Sequence, residues 1–243
     1  MPTALQRPPF NRLAEGQLSA FLGEDVEPLT AWPLVRAALD RGYNFLLVDI
    51  RAHGKSAGPW DPKAALPMDD LLGWVRWLRE ERGQAWVGLW GNSFGASVGL
   101  GLAARPDSGG IDVMVLDSAA ISGRGLYSGR VRPPVYWAIQ PVIQMLANHD
   151  LWRSLQAVQV WLPILLIHGM ADTHVPSWQS EQVYKLIWDP TAPERAELWL
   201  APRADHLAAL AVVPEMYVRR TLDWFDRWLG DNAAKSAPDH LSF

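Results

Sequence analysis

The chain has 243 residues, a net charge of −4, 49% hydrophobic and 20% charged residues, and no cysteine. This size and balance suit one globular domain and exclude a disordered or fibrous chain. They also exclude disulfides, thiolate metal sites and a cysteine nucleophile, and the 22 lysines and arginines form no basic stripe, so no nucleic-acid partner is expected.

The first residues, MPTALQRPPFNRLAEGQ, lack the apolar core of a signal peptide. No run approaches the roughly 20 apolar residues of a membrane helix. A cytoplasmic or otherwise soluble location is therefore expected, with no targeting segment and no membrane span in the chain; the pattern sets no oligomeric state. Short apolar runs at 18–22, 45–50, 86–90, 112–117, 163–168 and 196–200 read as strands. Several lack period-2 polarity, as strands buried on both faces do. Amphipathic segments at about 29–41, 67–82, 94–105, 177–188 and 214–230 read as helices, with Asp69 and Asp70 near the start of the second and Arg79 and Arg82 near its end. The 14 tryptophans fit helix packing: Trp74, Trp77 and Leu78 stand at helical spacing beside Leu71, and Trp224, Phe225 and Trp228 repeat the pattern.

Strands alternating with helices predict a single doubly wound α/β domain over 1–243, with a mostly parallel sheet of about six strands. The stretch at about 119–160, with Pro133, Pro134 and Pro141, interrupts the alternation. It is expected to be a small helical insertion over one end of the sheet, where open α/β sheets bind ligands.

The most informative segment is WVGLWGNSFGASVGLGLAARP, residues 86–106. A serine raised on a sharp turn from strand to helix is crowded on both sides and needs small residues two before and two after it. Gly91 and Gly95 flank Ser93 in that way. A serine hydroxyl is a weak nucleophile that needs a base, itself oriented by an acid. Of six histidines, His206 in APRADHLAAL lies between the last strand and the last helix, at the sheet end where Ser93 stands. His53 and His168 read as structural histidines that bond loop backbone. The acid is expected after the preceding strand, where PILLIHGMADTHVP places Asp172; Asp117 and Asp205 are rivals. The chain order is Ser93, Asp172, His206.

These motifs resemble the α/β-hydrolase superfamily, and within it the serine esterases and peptidase-like hydrolases with a small lid. LLVDIRAHGKSAG is similar to the family's Asp-x-Arg-Gly-x-Gly-x-Ser turn, GNSFG to its nucleophile elbow, IHGMADTHVP to its acid loop and ADHL to its histidine loop. The resemblance implies a triad of Ser93, Asp172 and His206. It implies an oxyanion hole from the backbone of Phe94 and of Gly23 or Glu24, although Leu22 stands where the family usually has histidine. It also implies two more strands than the segment before residue 18 has room for, so the fold is expected to be shortened at its N-terminus.

The activity implied is hydrolysis of a small-molecule carboxylic ester of small to medium acyl chain through an acyl-enzyme, without metal or other cofactor. A peptidase or thioesterase with the same triad, or a noncatalytic binding protein on the same fold, are the alternatives. In the insertion, Tyr136, Trp137, Ile139 and Met145 are expected to contact the acyl group. Arg124, Arg130 and Arg132 read either as solvated charges or as receivers of a substrate carboxylate.

Overall fold

In the computed structural model, which describes residues 31–61, 63–107, 109–146, 151–157 and 160–230, four of the apolar runs pair into one parallel sheet. The strands are β1 (Gly88–Asn92), β2 (Val113–Asp117), β3 (Ile164–Gly169) and β4 (Ala196–Ala201), in the order β1-β2-β3-β4. The chain divides into two units, Met1–Trp60 and Asp61–Phe243, and the sheet belongs wholly to the second.

Each crossover in that unit is helical: α3 (Phe94–Ala103) follows β1, α4 (Pro133–Leu146) and α5 (Leu151–Ala157) lie between β2 and β3, and α6 (Trp178–Ile187) joins β3 to β4. A short α7 (Ala209–Val212) and the final α8 (Pro214–Trp228) follow β4, and α2 (Ala65–Glu80) precedes β1. Parallel strands require such crossovers, because a tight hairpin reverses direction.

Strand register assigns the two faces. Gly91 stands beside Leu116, and Leu116 beside Leu166, so Leu89, Gly91, Met114, Leu116, Ile164 and Leu166 point to one side. There they form a core with Leu100 of α3, Val183 of α6 and Leu72 and Val75 of α2. The opposite side meets α8: a Cβ on Gly88 would press on Phe225, and Trp90 and Asp117 both bond Tyr217. Helices thus cover both faces, the doubly wound α/β arrangement expected from the alternation. β2 and β3 are buried at every position, as central parallel strands are.

The helix boundaries carry their own physical logic. α8 opens on Pro214, whose missing N–H costs nothing in the first turn, with Glu215 there and Arg227 in its last turn, both favourable to the helix dipole. α2 departs from the sequence reading. It begins at Ala65 and has no acidic residue in its first turn, so Asp69 and Asp70 do not serve its N-terminus; Asp69 instead accepts a 2.6 Å hydrogen bond from Arg105 at the end of α3. Arg79, in the last turn, donates to Asp112 at 2.6 Å, and the same carboxylate accepts the Val87 N–H at 2.6 Å. That clamp ties α2 to the entry into β1 and β2.

In the first unit, helix α1 (Trp32–Asp40) buries Leu34, Val35 and Ala38. Among the described residues the expected strand at 45–50 does not form: the run FLLVDI takes up no regular secondary structure, and Leu46 and Leu47 are 40% and 64% exposed. An apolar run becomes a strand only where a neighbour takes up its backbone hydrogen bonds. The turn that follows does form: Asp49 accepts the Lys55 N–H at 2.9 Å, and any Cβ on Gly54 would overlap the Asp49 carboxylate. The expected strand at 18–22 lies outside the described residues. Among the described residues no helix is long and apolar enough to cross a membrane.

Leu166 is fully buried in the middle of β3. Leu166→Ala is expected to lower unfolding stability by about 2–5 kcal/mol, read as a lower urea midpoint with an unchanged denaturant slope.

Candidate active site

Ser93 sits at the junction of β1 and α3 with φ +48° and ψ −115°, in the sparsely populated region where non-glycine residues are strained. Its N–H donates to the Asp117 carbonyl at 2.8 Å and its carbonyl accepts from Ser97 N at 3.0 Å, so neighbouring backbone holds the turn. A Cβ on Gly91 would stand 2.9 Å from Ala96 Cα and from the Gly95 carbonyl oxygen; only glycine lets α3 start so close to β1. The small residue that the sequence placed two before the serine is needed for that contact.

At the far side of the sheet, β3 and β4 run in register to Gly169 beside Ala201. A Cβ on Gly169 would overlap the carbonyl oxygens of Ala204 and Asp205. Its absence lets the loop after β4 cross over the end of β3, where Ala171 N donates to Ala204 O at 2.9 Å. Two loops separated by more than thirty residues are thereby pressed together, and they carry Asp172 and His206.

The result is a continuous chain of hydrogen bonds. Ser93 Oγ lies 2.9 Å from His206 Nε2, and His206 Nδ1 lies 2.8 Å from Asp172 Oδ2. The carboxylate can only accept, so the imidazole proton is assigned to Nδ1 and Nε2 is left to accept the serine O–H. Asp172 Oδ1 accepts the backbone N–H groups of His174 and Val175 at 2.9 and 2.8 Å. His168, fully buried, accepts from Ser180 Oγ at 2.7 Å, donates to the Val175 carbonyl at 2.8 Å and stands 3.3 Å from Asp172 Oδ2. Burial alone would raise the Asp172 pKa; the hydrogen bonds from His168 and His206 and the nearby imidazole charge outweigh it and hold the carboxyl well below the usual carboxylate range.

Both rival acids are spoken for elsewhere. Asp117 is buried at the end of β2 and accepts Ser118 Oγ at 2.9 Å and Tyr217 Oη at 3.0 Å; desolvation pushes its pKa up, with those two bonds opposing. Asp205 binds Thr173 N at 2.7 Å, His206 N at 2.8 Å and the Arg130 guanidinium at 3.2 Å. It braces the two loops through their backbones and leaves the His206 ring to Asp172.

Phe94 is the first residue of α3, so its N–H belongs to the electropositive end of that helix. Gly23 and Glu24, the other expected oxyanion residues, lie outside the described residues. The four expected acyl contacts all fall on α4: Tyr136 is buried and packs edge-on against Trp137 at 5.6 Å, Ile139 is half-buried, and Trp137 and Met145 are 72% and 67% exposed. Gln140 Nε2 donates to Gly123 O at 3.1 Å, which joins α4 to the loop that reaches the site. A cleft of about 460 Å³ runs along α3 past Met68, Ser97, Gly101, Leu151 and Ser154; Ser93 and His206 are not in its lining.

One residue beside the triad carried no assignment in the sequence. The His174 ring lies 5.0 Å from that of His206, tilted by 44°, and Tyr127 packs edge-on against it at 5.5 Å. Burial, with His206 and Arg130 beside it, lowers its pKa to about 4, so the ring is neutral at neutral pH. Its only sequence signal was position, two residues after the acid. Arg130, read as a solvated charge or a carboxylate receiver, is held against Thr173 and Asp205.

The fold agrees with the comparisons to known proteins. Residues 29–157 match the family model for the α/β hydrolase fold, and the chain belongs to that family. Residues 136–232 match the model of the prolyl oligopeptidase family. The chain is 32% identical to the uncharacterized protein YfhR of Escherichia coli over 184 residues, 74% of this chain and 59% of YfhR. It is 23% identical to the uncharacterized protein YqkD of Bacillus subtilis over 84% of this chain and 69% of YqkD. The chain thus spans about 59% of the length of YfhR. Among solved structures, the Pyrococcus furiosus esterase Pf2001 superposes with a TM-score of 0.65 at 25% identity, over 82% of this chain and 75% of that one. A meta-cleavage product hydrolase of Pseudomonas fluorescens shares the fold, with a TM-score of 0.56 at 18% identity over 83% of this chain and 86% of that one.

Because the loop contact depends on a missing side chain, Gly169→Ala is expected to force the 204–205 backbone away, at a cost of about 1–3 kcal/mol. Urea denaturation reads the loss of stability, and a crystal structure of the variant should show Asp172 Oδ2 and His206 Nδ1 further apart than 2.8 Å.

Proposed function

We propose that the protein is a serine hydrolase that cleaves carboxylic esters of small to medium acyl chain, with Ser93 as nucleophile, His206 as base and Asp172 as the orienting acid. The observation that carries the reading is the pair of hydrogen bonds, 2.9 and 2.8 Å, that link Ser93 Oγ to His206 and His206 to Asp172.

Ser93 Oγ attacks the ester carbonyl carbon as His206 Nε2 takes its proton. Asp172, ionised throughout, stabilises the imidazolium through Nδ1–H. The carbonyl oxygen becomes an oxyanion, received by the Phe94 N–H at the head of α3. Collapse expels the alcohol, which leaves with the proton from Nε2. Water then gives a proton to Nε2 and attacks the acyl carbon; release of the carboxylic acid returns the proton to Ser93. No metal or organic cofactor enters these steps.

The choice of ester draws support from the likeness to the Pyrococcus esterase, which reaches 25% identity. Apolar side chains on α4, Tyr136, Trp137, Ile139 and Met145, are assigned as the acyl contacts, with 119–160 acting as a small lid on a single hydrolase domain. Cleavage of an amide is the second reading, favoured by the prolyl oligopeptidase match over residues 136–232. The mechanism is unchanged except that the leaving group is an amine.

The test is hydrolysis of p-nitrophenyl acetate, butyrate and octanoate, with fluorophosphonate labelling read by intact mass. The wild type is expected to turn over the shorter esters and to gain a single adduct on Ser93. Ser93→Ala should abolish both, and Asp172→Asn should lower kcat by about 10²–10⁴-fold. Undiminished turnover by Ser93→Ala overturns the mechanism. A folded wild type with neither turnover nor adduct favours a noncatalytic binding protein.

A further inference from the structure

A carboxylate oxygen of Asp172 and one ring nitrogen from each of His174 and His206 all lie within 4.8 Å of one another. Loop geometry imposes this convergence. Asp172 accepts the backbone N–H of His174 through one oxygen and His206 Nδ1–H through the other, and the two imidazole rings stand 5.0 Å apart, tilted by 44°. The triad explains His206 and Asp172; it leaves His174 without a role. Moreover, His174 Nδ1 is buried and has no hydrogen-bond partner among the described residues, whereas a buried ring nitrogen ordinarily finds one.

We propose that Asp172, His174 and His206 form a binding site for a borderline transition-metal dication of the Zn²⁺ type, and that its occupancy switches the serine centre off. Two imidazoles and a carboxylate, with a fourth position open to water, make a donor set that suits tetrahedral zinc. Mg²⁺ and Ca²⁺ require mostly oxygen ligands. Ligand atoms about 2.0–2.1 Å from zinc stand closer together than 4.8 Å, so the His174 ring swings toward its partners as the ion enters. The His206 side chain is 14% exposed, which gives the ion a way in.

Inhibition follows from the nitrogen that binds. His206 Nδ1 is the one that faces Asp172; when the ion takes it, the ring proton moves to Nε2, which then donates and cannot act as base. The imidazole stays neutral with one N–H, so no proton is gained or lost by the ring. The inhibitory consequence rests on the serine-hydrolase reading; the binding itself does not.

The experiment uses the full chain after EDTA treatment and dialysis. Calorimetry with ZnCl₂ is expected to show one saturable site per chain, and MgCl₂ none at the same concentrations. Saturating Zn²⁺ should slow fluorophosphonate labelling of Ser93 at least about tenfold, in proportion to occupancy. His174→Phe, which keeps a ring against Tyr127, and His174→Gln should each weaken Zn²⁺ binding by at least about 10–100-fold, the loss zinc sites already show when a partner that only supports a ligand is removed. Ser93→Ala should bind Zn²⁺ like the wild type. Circular dichroism checks that each variant is folded. No saturable heat, or wild-type affinity in both His174 variants, overturns the site, and labelling that Zn²⁺ leaves unchanged or speeds up overturns the switch. If Ser93 never labels even without metal, the hydrolase reading fails while calorimetry on the same samples still decides whether the ion binds.

Discussion

The carboxylate of Asp172 is the point on which the whole site turns. Its side chain is wholly inaccessible to solvent, and an isolated buried carboxylate costs several kcal/mol. Four groups make that position tolerable: the N–H groups of His174 and Val175 on one oxygen, His206 Nδ1 and the neighbouring His168 on the other. The same contacts shape the loop into its turn, fix the tautomer of His206 and point Nε2 at Ser93. Stability and function are therefore coupled here in one direction with pH. A carboxyl whose pKa is depressed in the folded state adds stability above its unfolded pKa and loses that contribution as pH falls through the folded value.

Two glycines do for the backbone what Asp172 does for the side chains. Gly91 allows the strand-to-helix turn that lifts Ser93, and Gly169 allows the histidine loop to lie across the end of β3. Each removes a Cβ from a place where another backbone must pass, so a parallel register set in the core is transmitted to the sheet end as a fixed distance between loops. β2 is the intermediary: Asp117 at its end accepts the Ser93 N–H through its carbonyl, and its side chain is locked by Ser118 and Tyr217. A residue weighed from the sequence as a catalytic acid thus holds Ser93 through the main chain.

Much of the arrangement was legible in the sequence because it depends on local chemistry. GNSFG declares its turn through its small residues, and β2 and β3 declare their double burial by running without polar alternation. Elements that depend on a distant partner were less legible. The run at 45–50 has the composition of a strand, yet a strand also needs a paired neighbour, and no residue in FLLVDI states whether one exists. Asp69 and Asp70 looked like dipole partners for α2, but the helix starts at Ala65 and Asp69 pairs with Arg105 across 36 positions of sequence. His174 is the sharpest case. Nothing in ADTHVP says that its ring will meet that of His206, because the meeting is made by Gly169 and by a loop that arrives more than thirty residues later.

That placement of His174 bears on how such a site evolves selectivity. Ser93, His206 and Asp172 are constrained by one another's geometry, so changes among them are costly. A neighbour that touches the His206 ring without sharing its hydrogen bonds is free to vary in size, polarity and ligand chemistry while the triad distances stay as they are. With a ring that is neutral near pH 7 and a nitrogen that has no hydrogen-bond partner among the described residues, His174 adds a polar group beside the His206 ring. It does so at the level of packing, one step outside the hydrogen-bonded chain that joins Ser93, His206 and Asp172.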